Sequence, residues 1–226
     1  MARDAEGGTA GIVLAAGGGR RLGGRPKALL EYGGSPLVAR AVALARAGGC
    51  GRVHVVTGAE AEGARAAGER AGAAPEAWVR NPAWESGMGS SLRAGLASLA
   101  GTGARAALVL LVDQPGITPE AVARVLAAYE GPATLAAAAY GGGRGHPVLL
   151  GAAHWTGVAA AAEGDRGGAG LPAGARAGGP ARGVRGPVRP VRHRHPRGPA
   201  AAAGDVLRHA RAGVAPRDIS PEGPSH

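Results

Sequence analysis

An α/β fold with a mostly parallel sheet covered by helices is the architecture this 226-residue sequence predicts. Short apolar runs alternate with amphipathic segments from residue 11 to about 150, the grammar of strand–helix repeats. The run AALVLLV at 106–112 has no polar alternation, which suits a strand buried on both faces. The chain is also long enough to bury a core without metal or disulfide staples.

GIVLAAG, residues 11–17, is the first strand and opens into a glycine-rich loop. SPLVARAVALARAGG, 35–49, carries apolar residues at helical spacing and stops at Gly48 and Gly49. RVHVVTG, 52–58, is the second strand, AEGARAAGERAG, 61–72, an alanine-rich helix, and AWVRNP, 77–82, a short third strand leading into the loop WESGMG. Ser90 or Ser91 is expected to cap the helix SLRAGLASLAG. ARAALVLLVDQP, 104–115, is the central strand. The helix TPEAVARVLAAYEG follows, with Thr118 as N-cap and Pro119 at its first position. TLAAAAY and GHPVLL form a last strand pair joined by GGGRG.

Residues 1–10 read as a flexible N-terminus without the basic start or apolar core of a signal peptide. The lone Cys50 cannot form an intramolecular disulfide. No apolar run is long enough to cross a bilayer, so a cytoplasmic protein without a membrane partner is expected. The net charge of +10 is uneven: residues 1–167 hold 16 Lys and Arg against 13 Asp and Glu, whereas 168–226 hold 10 against 3. The basicity therefore belongs to the tail, and with aromatics at 3% and no Phe there are few platforms for stacking bases. Nucleic acid is not an expected partner.

Chemistry concentrates in Leu14–Lys27, LAAGGGRRLGGRPK. Gly17, Gly18 and Gly19 can bring bare backbone N–H groups against phosphate oxygens, and Arg21 and Lys27 supply positive charge. A P-loop requires Gly-Lys-Ser/Thr, but Lys27 stands between Pro26 and Ala28. A dinucleotide fingerprint requires a helix where arginines and Pro26 stand. Asp113, in VDQP at 112–115, ends the central strand, where such sheets bind ligands. In isolation it reads as a turn-forming aspartate; opposite a phosphate-binding loop it reads as a Mg²⁺ ligand. A lone histidine such as His146 is more often structural, and His193 and His195 have no neighbouring Cys or acid to complete a metal site.

Leu14, Ala15, Ala16 and the loop that follows resemble the signature of the sugar-nucleotide and cofactor nucleotidyltransferases, most closely the molybdenum cofactor cytidylyltransferases of the MobA-like group. The resemblance implies a Rossmann-like three-layer α/β/α sandwich of the nucleotide-diphospho-sugar transferase type. It implies that the loop holds a triphosphate while Arg21 and Lys27 neutralise it, and that Asp113 binds Mg²⁺. Ala16 stands where the guanylyl-transferring branch usually has glycine, which favours CTP over GTP. NPAWESGMGSSLRAGL, 81–96, is similar to the segment contacting base and ribose, with Gly87, Met88, Gly89, Ser90 and Ser91 matching it. RGHPVLL resembles the acceptor side, so Gly145, His146 and Pro147 are expected to bind the acceptor. The implied activity moves CMP from CTP to the phosphate of molybdopterin with release of pyrophosphate. GTP, a sugar or alcohol phosphate acceptor, or a non-catalytic role in maturing a molybdenum hydroxylase apoenzyme remain open.

Residues 11–167 are thus expected to form the nucleotidyltransferase domain and 168–226 a basic tail whose Gly, Pro and Arg content cannot build a core. GDRG at 164–167 matches the family, and the departure follows it at once. Reading the codons one nucleotide further downstream permits ARAYLRAH directly after GDRG, and SDIDTPEDL in place of VRHRHPRGP at 191–199; both resemble family strings. A frame displacement accounts for the tail, and it leaves this polypeptide without the segment expected to close the metal site. Sequencing the gene across the Gly167 codon is expected to reveal the displacement; peptides confirming one continuous frame through residue 200 would refute it.

Overall fold

A computed structural model describes residues 8–19, 23–140, 143–162 and 191–192. β1 (Thr9–Leu14) is central, flanked in parallel by β4 (Arg52–Thr57) and β6 (Ala106–Leu111). β5 (Ala77–Arg80) pairs parallel to β4 at one edge. Beyond β6 lie β8 (Gly143–Gly151), antiparallel to both neighbours, then β7 (Leu135–Tyr140) and the two-residue β9 (Val191–Arg192). The order is β5-β4-β1-β6-β8-β7-β9. A separate hairpin joins β2 (Glu31–Tyr32) to β3 (Ser35–Pro36).

Strand side chains alternate between two cores, as a period of two requires. Val13, Val53, Val55, Leu108 and Leu110 face α1 (Leu37–Ala47), α2 (Ala61–Arg70) and α4 (Pro119–Leu126). Ile12, Leu14, Val56, Ala107 and Val109 face α3 (Met88–Ala97) and α5 (Trp155–Ala161). The result is the expected three-layer sandwich. Burying one such side chain contributes about 1.5–3 kcal/mol, so the central strands dominate the favourable terms.

The structure agrees with the sequence where caps and periodicity coincide. Thr118 accepts the Ala121 N–H at 3.4 Å and Pro119 opens α4, as expected. Elsewhere the structure differs. β1 starts at Thr9, inside the stretch expected to be flexible. α1 starts at Leu37, because Ser35 and Pro36 pair with the strand before them across Gly33 and Gly34, both at positive φ. α3 starts at Met88 with Gly87 at its cap, so neither Ser90 nor Ser91 caps it; both lie within its first turns and are buried. The short α5 escapes any periodicity argument, having only Val158 buried, and is anchored by Trp155 Nε1–H donating to Leu150 O at 3.0 Å. Residues 163–190 and 193–226, including the GDRG segment, His193 and His195, lie outside the described residues.

Cys50 is buried, and burial pushes its thiol up to about 12, so it is a packing residue and not a nucleophile. His54 is likewise buried, with Nδ1 2.8 Å from Ser98 Oγ; burial holds it below the ordinary imidazole range and hence neutral. Gly95 lets α3 approach the sheet: a Cβ there would stand 2.6 Å from Ile12 Cγ2 and 3.1 Å from Val56 Cγ2. Gly95→Ala gains about 1 kcal/mol of helix propensity but overpacks the core by about 1–3 kcal/mol. A lowered melting temperature is therefore expected, and an unchanged or raised one in thermal denaturation would show that the layer has slack.

Candidate active site

Chain order runs outward from β1 through β4 to β5 and then recrosses β1 to reach β6. That reversal opens a crevice at the C-terminal ends of β1 and β6, the place where open α/β sheets receive ligands. Pairing continues past both strands: the Ala15 N–H donates to Val56 O at 2.8 Å, and the Val112 N–H to Leu14 O at 3.2 Å. Two segments nearly a hundred residues apart in sequence, the glycine loop and the Asp113 turn, thus leave the sheet side by side.

The loop glycines stand there for different reasons. Gly17 is exposed, and a Cβ on it would meet nothing within 4 Å. A Cβ on Gly18 would stand 2.9 Å from the Trp84 indole; one on Gly19, at φ 67°, would stand 1.8 Å from the Arg25 carbonyl oxygen. Gly18 makes room for a tryptophan and Gly19 for the return of its own loop, which the Gly24 N–H closes on Gly19 O at 3.2 Å. Packing thus already demands glycine at these two positions. Arg21, with Arg20 and Leu22, lies outside the described residues.

Lys27 opens the 3-10 turn Lys27–Leu29, whose Ala28 is buried. Its Nζ donates to Asp113 Oδ2 at 2.5 Å, with the two side chains 42% and 29% exposed. A pair this wet contributes at most about 1 kcal/mol to stability, so stability does not explain it. Between them Lys27 and Asp113 put one cation and one carboxylate at the mouth of the crevice.

On β8, Ala137 pairs with Val148 but Ala138 with Gly145, so His146 and Pro147 form a bulge. The peptide between them is cis. His146 is buried; burial holds its imidazole below the ordinary range, opposed by the charge of Asp113, which therefore lies within electrostatic reach. His146 thus lies within reach of the Asp113 turn, with Gly145 and Pro147 beside it in the chain.

The segment expected to meet base and ribose is organised by Asn81, which carries no functional signal in the sequence. Asn81 is buried at the end of β5, and its side chain accepts the Ala83 N–H at 3.0 Å and donates to Ser90 Oγ at 2.8 Å and Ser91 Oγ at 3.0 Å. Ser90 Oγ also lies 2.9 Å from Ala83 O and 2.8 Å from Gly87 O. Both hydroxyls serve the fold, and Met88 packs against the α3-side core. What this segment presents to the crevice is the N-terminal turn of α3, whose amides favour anions, and Trp84, lying against Gly18 and Gly58. The Asn-Pro pair marks a turn in the sequence, but nothing local announces its partners nine and ten residues on.

Among the described residues no three His, Cys, Asp or Glu side chains gather to hold a metal. Asp113 alone suits Mg²⁺, which typically keeps waters and phosphate oxygens and takes only one or two carboxylates. It does not suit a closed protein cage. A cavity of about 410 Å³ opens on the other side of the Asp113 turn, between α1, Val112, Gln114 and Pro119. It excludes the glycine loop and is not the site.

Residues 11–178 match the family described as "MobA-like NTP transferase domain". The chain is 42% identical over 164 residues to nicotine blue oxidoreductase of Paenarthrobacter nicotinovorans, covering 70% of this chain and 78% of that protein. It is 40% identical over 121 residues to molybdenum cofactor guanylyltransferase of Rhodobacter capsulatus, covering 53% and 58%. Among solved structures it resembles Rv0371c of Mycobacterium tuberculosis H37Rv in complex with manganese, with a TM-score of 0.55, 29% identity and coverage of 70% and 78%.

Gly18→Ala is expected to displace Trp84 and to lower stability by about 1–3 kcal/mol, as overpacking does. Gly17→Ala, in open space, is expected to stay within about 0.5 kcal/mol of the parent. Chemical denaturation of the two variants compares them directly, and equal losses would contradict the separate roles of the two glycines.

Proposed function

The chain belongs to the MobA-like NTP transferase domain family, and from that premise we propose that it transfers CMP from CTP to the phosphate of molybdopterin or its molybdenum form. The observation that carries the reading is the meeting of Lys27 and Asp113 at 2.5 Å beside the glycine loop, which joins a phosphate-neutralising cation to a metal-binding carboxylate. An oxygen of the acceptor phosphate attacks the α-phosphorus in line; the new P–O bond forms as the bond to the β-phosphate oxygen breaks, and pyrophosphate leaves. No covalent enzyme intermediate is needed.

The residues of the chain contribute positioning and charge stabilisation. The backbone around Gly17 and the first turn of α3 receive phosphate oxygens, Lys27 and Arg21 offset the charge of the departing pyrophosphate, and Gly145, His146 and Pro147 flank the acceptor. Asp113 would hold Mg²⁺, which would supply Lewis acidity at the phosphates. Support for a metal comes from the carboxylate and from the manganese complex of a related structure. Ala16 supports CTP, while the guanylyltransferase relative keeps GTP as the competing donor.

A second reading rests on the oxidoreductase relative. A nicotinamide dinucleotide also carries a pyrophosphate that a glycine loop can hold, and the chain would then move a hydride to a planar acceptor. One set of incubations separates the two: the protein with Mg²⁺, molybdopterin and each nucleoside triphosphate, followed by pyrophosphate release, and in parallel with reduced nicotinamide dinucleotide and nicotine blue as hydride acceptor, followed by absorbance. CTP-dependent pyrophosphate release is expected, falling about 100-fold or more in Asp113→Ala with little change in melting. Release with no nucleotide in either reading frame of the tail rejects the transferase, and nicotinamide oxidation would install the second reading.

A further inference from the structure

Lys27 and Asp113 have so far been given separate partners, the triphosphate and the metal, yet they are bonded to each other. Nζ stands 2.5 Å from Oδ2, within the shell a hard cation bound to that oxygen would occupy. An ammonium and a divalent cation cannot both hold that oxygen at these distances without strong like-charge repulsion. The pair also bridges two independently anchored segments. Lys27 sits on a 3-10 turn closed by Leu30 N–H to Lys27 O at 3.1 Å, and Asp113 follows Val112, which is hydrogen-bonded to β1. Release of the carboxylate therefore requires movement of the flexible lysine side chain, not of the backbone. The exposure of the pair, 42% and 29%, leaves room for that movement and keeps its cost small.

We propose that Lys27 is a latch on the metal site: without nucleotide its ammonium occupies Asp113, and a triphosphate draws it away, so that the divalent cation binds well only together with the triphosphate. This rests on the transferase reading of Asp113 as the metal ligand. The device gives ordered assembly. A free cation finds the carboxylate already neutralised, whereas a triphosphate offers the ammonium several oxygens in exchange for one and brings a cation with it. By linkage, whatever affinity the triphosphate adds for the metal, the metal adds for the triphosphate.

The test needs no turnover. Free Mn²⁺ is titrated into the protein in the absence of nucleotide and counted by electron paramagnetic resonance, for the parent, Lys27→Met, Lys27→Gln and the double variant Lys27→Met/Asp113→Asn. Removing the ammonium is expected to tighten Mn²⁺ binding by up to about fivefold, the factor that matches a partly exposed ion pair, and the double variant is expected to lose the gain. Mn²⁺ binding by both lysine variants that equals or falls below that of the parent overturns the latch. If the double variant binds as tightly as Lys27→Met, Asp113 is not the ligand, and the assignment beneath the latch fails instead.

Discussion

The position of β1, held in parallel on both sides by β4 and β6, is the constraint from which the rest of the structure follows. Its side chains Ile12, Val13 and Leu14 are buried by helices on the two faces, and its backbone is saturated by its neighbours. A strand so enclosed can release its chain only at the end. Because the connection recrosses β1 between β5 and β6, the two segments released together are a glycine loop and an aspartate turn. The crevice is a consequence of topology before it is a consequence of any functional residue.

The site is assembled from interactions that individually do little for stability. Lys27 and Asp113 are too exposed for their pairing to contribute much, and Gly18, Gly19 and Gly58 are defined by side chains they lack, leaving space for Trp84 and for the returning loop. Asn81 differs from these. Buried and engaged through both ends of its carboxamide, it ties β5 to the start of α3 and places the helix amides at the crevice. A rigid support of this kind beneath a loosely paired cation and carboxylate suits a site that must hold its walls while exchanging charged ligands.

The β8 edge supplies the contrast. There the antiparallel strand departs from regular pairing at His146 and Pro147, and the histidine is kept neutral by burial while lying within reach of the Asp113 charge. A neutral, buried ring beside the carboxylate leaves the cationic work to Lys27 and the basic loop.

Much of the architecture was written locally. Apolar runs located β1, β4 and β6, and Thr118 with Pro119 located α4, because burial and cap chemistry depend on neighbours in the chain. Glycines and a lysine at 17–27 and an aspartate at 113 stand out in the sequence by residue type and by their place at strand ends. Tertiary structure decided what residue type leaves open. Ser90 and Ser91 look like caps but are turned inward by Asn81, Gly18 makes room for Trp84, and α5 has too little apolar face to announce itself. Above all, that Lys27 lies against Asp113 across 86 positions is not a property of either segment. It exists because two strands on opposite sides of a chain reversal end at the same height.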